Sequence, residues 1–113
     1  MTIHVWGVPQ SGKSTFVERI QVLLDANLDC YRDVKVQEWP EGVPVVQPSD
    51  LSVFVDRDKQ NGNIFVSVTR SSMTLLAMKL YPSVSRTRNW SVLVAGFSYI
   101  LLEAISGFSV EEN

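Results

Sequence analysis

The feature that most constrains this chain is the run Gly7-Val8-Pro9-Gln10-Ser11-Gly12-Lys13-Ser14, followed by Thr15, close to the N-terminus. It lies between two segments of different periodicity. Thr2 to Trp6 is a β-prone stretch that stops abruptly at Gly7, as a first buried strand does. After the run, Phe16, Val17, Ile20, Leu23 and Leu24 recur at helical spacing and make one apolar stripe, with Glu18, Arg19 and Gln21 on the wet side and Asn27 as the stop. A glycine-rich turn from a strand into a helix brings backbone N–H groups and the positive end of the helix dipole to one point, which favours an anion there. At Gly7 and Gly12 a β-carbon would obstruct either the tight turn or the close approach of the backbone to that anion.

The rest of the composition narrows the setting. With 113 residues, 45% of them hydrophobic, the expectation is a single domain spanning 1–113 with one core. The formal charge of −2 exerts no global pull on nucleic acid, but the halves differ in sign. Up to Asp58 there are nine acids against five bases; from Lys59 there are five bases (Lys59, Arg70, Lys79, Arg86, Arg88) against three acids, and none lies between Asp58 and Glu103. Cys30 is the only cysteine, so an internal disulfide and a cysteine-only metal cage are excluded, and its expected role is structural. The N-terminus has no basic flank followed by a long apolar run, which points to a cytoplasmic protein. The apolar stretch Trp90 to Ile105 falls short of the roughly 20 residues that span a bilayer, so no membrane is expected.

Further along, Val34 to Trp39 reads as a second strand and the proline-rich Pro40 to Pro48 as a loop or crossover. Leu51 to Val55 and Ile64 to Val68 are the clearest strands. Asn61-Gly62 between them suits a hairpin, whereas a parallel arrangement would need a connection of about a dozen residues. Met73 to Leu80 reads as a short helix stopped by Tyr81-Pro82, Trp90 to Ala95 as a last strand and Phe97 to Ile105 as a closing helix. His4 falls within the first strand and is expected to pack; Trp6, Trp39 and Trp90 are too scattered for a stacking platform.

The order strand, Gly7–Ser14 loop and helix, with the Gly-Lys-Ser-Thr ending, resembles the P-loop NTPases, and the loop looks much like that of nucleotide kinases and related ATPases. The resemblance covers about residues 2 to 27. It implies an α/β three-layer sandwich of about five mostly parallel strands with flanking helices. It also implies that Gly7, Val8, Pro9, Gln10, Ser11, Gly12, Lys13, Ser14 and Thr15 bind ATP with Mg²⁺. Lys13 would reach the β- and γ-phosphates, Ser14 would complete the metal shell, and Thr15 would lie toward the α-phosphate. Leu51-Ser52-Val53-Phe54-Val55-Asp56 resembles the family's second motif, so Asp56 is the candidate second metal ligand, with Asp58 behind it. Arg57 stands where the family often has a water-activating glutamate. The strand ending in Thr69-Arg70 resembles one that senses the γ-phosphate, and Arg86 and Arg88 are candidates for an arginine delivered to a neighbouring subunit or for nucleic-acid contact.

Three functions follow from these residues. The first is a minimal ATPase, or an ATP-dependent switch that controls self-assembly or partner binding. GTP is disfavoured because neither Asn-Lys-x-Asp nor Asp-x-x-Gly occurs in the chain. The second is a small nucleotide or small-molecule kinase, against which the chain length counts, since an acceptor site and lid need residues. The third is a non-catalytic regulatory binding module of phage type that keeps the loop and acts on a larger protein. The partners implied are ATP, a further copy of the chain or a larger protein, and nucleic acid as a further candidate.

Overall fold

In the computed structural model, residues 1–81 and 86–106 are described, and within 86–106 the side chains of 90–105. The elements in chain order are β1 (Thr2–Gly7), α1 (Lys13–Ala26), a single turn α2 (Leu28–Tyr31), β2 (Lys35–Glu38), β3 (Leu51–Arg57), β4 (Ile64–Arg70), β5 (Met73–Leu80) and α3 (Arg86–Ser106). They make one five-stranded sheet in the order β2-β1-β3-β4-β5. β1 runs parallel to β2 and to β3, whereas β4 is antiparallel to β3 and β5 is antiparallel to β4.

This topology overturns the expected mostly parallel three-layer sandwich of P-loop type. The reason is local turn chemistry. Asp58 to Asn63 are too few residues for a crossover. They close a hairpin in which the Asp58 carboxylate accepts from Gln60 N (2.9 Å), Asn61 N (3.3 Å) and Asn61 Nδ2 (2.7 Å), and Gly62 supplies a left-handed φ of 72°. At the next turn Ser71 takes φ 55°, and Arg70 pairs with Met73. Met73 to Leu80 is therefore an edge strand rather than the expected helix: pairing with β4 overrides the helix-forming preference of its Leu, Ala, Met and Lys residues.

The second correction concerns residues 90–105, which form one helix with no strand. Trp90, Leu93, Phe97, Ile100 and Leu101 are all buried and follow the three- and four-residue steps of a helix face, while Val92, half-exposed, lies off that face. Phe16 of α1 stacks on Trp90 at 5.7 Å and meets Phe97 edge-on at 5.6 Å. α1 and α3 thus touch each other and share one face of the sheet, over Ile3, Val5, Val53, Val55, Val66 and Val68. Each such buried side chain contributes about 1.5–3 kcal/mol relative to exposure. The opposite face carries His4, Trp6, Ser52 and Phe54, and the coil of residues 39–50, with its buried Pro44, carries the chain from β2 to β3. That coil supplies the dozen residues a parallel connection needs. No helix among the described residues is long and apolar enough to cross a membrane.

Candidate functional site

The Gly7–Ser14 run emerges from the C-terminal end of β1, between β2 and β3, and leads straight into α1. Its two glycines are required for different reasons. Gly7 has φ 138°, and a Cβ there would stand 2.0 Å from the Val55 carbonyl oxygen, because β3 passes alongside and Val8 N donates to that same oxygen at 3.2 Å. Gly12 has φ 102°, and its Cβ would come within 2.7 Å of Trp90 Cζ2, so α3 supports the loop from below. Gln10 also takes a left-handed φ of 61°. α1 begins on Gly12 with no side-chain cap and no acid in its first turn. The first-turn N–H groups therefore lack the side-chain acceptor that a Ser, Thr or Asp cap would supply.

A cleft of about 470 Å³ opens against this helix end. Its lining includes Gly12, Lys13, Ser14, Glu38, Pro40 and Arg57. Lys13 is only 5% exposed, and its ammonium donates to the carbonyls of Gly7 (3.1 Å), Pro40 (3.3 Å) and Trp39 (3.4 Å). The Ser14 hydroxyl donates to Glu38 Oε2 at 3.1 Å. Ser11 Oγ in the same loop is buried without a hydrogen-bond partner among the described residues. The cleft therefore holds two cations, Lys13 and Arg57, against one carboxylate, Glu38.

The remaining sequence candidates are placed elsewhere. In β3 the buried Leu51, Val53 and Val55 alternate with Ser52, Phe54 and Asp56, so Asp56 belongs to the face away from α1, and its carboxylate accepts from the Arg57 N–H at 2.7 Å. Arg57, one position on, has the opposite phase and lines the cleft. Arg70 is carried to the far end of the sheet by the antiparallel register, which sets Thr69 opposite Ser52 while Gly7 lies beside Val55. Arg86 and Arg88 fall in the first turn of α3, with side chains outside the described residues. Asp58 closes the β3–β4 hairpin.

Glu38 and Arg57 are the residues of the cleft that sequence reasoning passed over as site groups. Nothing in Glu38-Trp39-Pro40 marks it as a site, since only the parallel pairing of β2 with β1, Val5 opposite Glu38, brings the carboxylate to the loop. Behind them lies a buried polar chain. Trp39 Nε1 donates to His4 Nδ1 at 3.0 Å, which leaves Nε2 to carry the imidazole hydrogen toward Asp50 Oδ2 at 3.1 Å. Asp50 Oδ1 accepts from Thr2 N at 2.9 Å. That backbone N–H, with His4 and Gln47 assisting against burial, holds the Asp50 carboxyl below the usual carboxylate range.

Compared with protein-family models, curated proteins and solved structures, the chain matches none.

Proposed function

We propose that the cleft at the start of α1 binds the phosphates of Mg-ATP, and that the chain works as a minimal ATPase or ATP-dependent switch in the cytoplasm, controlling self-assembly or contact with a protein partner. The observation that carries this reading is the convergence on one cleft of an uncapped helix N-terminus, entered through Gly12 in the left-handed region, with Lys13 and Arg57. Two cations and a helix dipole outweigh one carboxylate and suit a polyanion over a neutral ligand.

A magnesium ion that arrives with the phosphates fits the residues present. The Ser14 hydroxyl and the Glu38 carboxylate lie side by side. Magnesium characteristically takes one or two protein oxygens, several waters and the substrate's phosphates, and it would neutralise charge on the phosphate oxygens. Lys13 would bind the outer phosphates. Arg57 would add, within the same chain, a second positive charge where phosphate charge develops, in the place where a water-activating glutamate is absent. That substitution favours the switch over fast turnover.

The test measures Mg-ATP binding by calorimetry and phosphate release over a range of protein concentrations, with and without DNA. Lys13→Ala should abolish both, and Arg57→Ala should weaken binding about 10-fold or more, as expected for loss of a charge-assisted contact. Binding retained in Lys13→Ala would overturn the reading. A release rate per molecule that rises with concentration supports a site completed by a second copy.

A further inference from the structure

Lys13 has three N–H donors, and all three are directed at backbone carbonyls, two of which belong to Trp39 and Pro40 beyond the end of β2. A phosphate that engages Lys13 must take over at least one of these donors. The Gly7 carbonyl (3.1 Å) belongs to the same loop as Lys13, whereas those of Pro40 (3.3 Å) and Trp39 (3.4 Å) belong to a separate segment, whose release would be felt outside the loop. Trp39 is not free to follow the ammonium. Its N–H donates to Val5 O at 2.8 Å, its indole N–H to His4 Nδ1 at 3.0 Å, and His4 is braced by Asp50, which in turn holds the backbone of Thr2. This chain of bonds runs along the face of the sheet opposite α1 and joins the 39–50 coil to the cleft.

We propose that Trp39-Pro40 is a latch on the cleft: its carbonyls compete with phosphate for the Lys13 ammonium, and Trp39, anchored through His4 and Asp50, is the positioning residue that sets the strength of that competition. The inference rests on the phosphate-binding reading and adds its regulation. Phosphate entry releases Trp39-Pro40, and the movement reaches the 39–50 coil, whose Val43 and Val45 are 71% and 75% exposed. Occupancy at one face of the sheet is thereby converted into a change at the other.

The experiment follows the tryptophan indole N–H signals by ¹H–¹⁵N NMR. Trp6, Trp39 and Trp90 give three signals, and that of Trp39 is identified by its loss in Trp39→Phe. Without ligand, Lys13→Met, with Lys13→Gln as a second variant, should shift the Trp39 signal, speed exchange of the Trp39 backbone amide and leave Trp6 in place. An unmoved Trp39 signal in a folded Lys13 variant overturns the latch. In the second arm, Mg-ATP should move the Trp39 signal of the wild type, and Trp39→Phe should bind Mg-ATP several-fold to about 10-fold tighter, because one anchoring hydrogen bond of the latch is gone. A merely structural Trp39 would weaken binding instead. ATP binding with Trp39 unmoved and the affinity of Trp39→Phe unchanged overturns the latch and leaves the cleft reading standing. Binding by neither protein overturns the cleft reading and the latch with it.

Discussion

The two halves of the sheet are built on different connections. β2, β1 and β3 are parallel, so the chain must cross between their ends, with α1 on one face and the 39–50 coil on the other, and the shared C-terminal end brings Lys13, Glu38, Pro40 and Arg57 to one cleft. β3, β4 and β5 are joined by hairpins, through Asp58 to Asn63 at the loop end of the sheet and through Ser71-Ser72 at the opposite end. Parallel pairing gathers residues distant in sequence at the C-terminal ends of strands. Hairpin pairing alternates ends, which is why Arg70 finishes far from Gly7 although both terminate strands of the same sheet.

From this contrast, substitutions at the turns of the parallel half should cost far more than equivalent ones in the antiparallel half. The largest effect is expected for Gly7→Ala, where backbone strain and a clash with the Val55 carbonyl combine to at least about 3 kcal/mol, read as a fall in the urea midpoint. Gly62→Ala in the hairpin, which shares only the left-handed φ of 72°, should cost about 1–2 kcal/mol. Equal costs would break the comparison.

The carboxylates sharpen it further. Asp50 and Asp58 are both held below the ordinary value of 3.8, Asp50 chiefly by the Thr2 N–H and Asp58 chiefly by the Asn61 side chain. Each therefore binds protons less readily folded than unfolded. The stability they contribute is complete above pH about 4–5 and is lost as pH falls through the folded value. Asp50, 8% exposed and joined to His4, should dominate: Asp50→Asn should flatten the acid limb of a melting-temperature profile measurably more than Asp58→Asn. The smallest expected effect is that of Asp56→Asn on Mg-ATP affinity. Its side chain lies on the face away from α1, so calorimetry should find the change within about 2-fold, or roughly 0.5 kcal/mol. A large loss would restore Asp56 to the cleft.

Legibility followed the range of the forces involved. β1, the glycine run and α1 were readable because each is specified within its own window: an apolar run, left-handed positions that favour glycine, and a 3.6-residue stripe. The hairpin signal Asn61-Gly62 was equally local, and the structure realised it. Met73 to Leu80 misled because its residues favour helix and only the neighbouring β4 makes it a strand. In 90–105 the expected strand Trp90 to Ala95 is too short a window to separate strand from helix, and the helical stripe from Trp90 to Leu101 becomes decisive only against Phe16.

The sequence by itself determined that a strand, a glycine turn and an amphipathic helix meet near Lys13, since the φ preferences and the hydrophobic period are properties of the residues themselves. Only the tertiary structure decided which side chains face that turn. A one-residue phase along β3 exchanges Asp56 for Arg57, and the pairing of β2 with β1 brings in Glu38. Strand phase and pairing are set by burial across the whole sheet, which no local window of the chain contains.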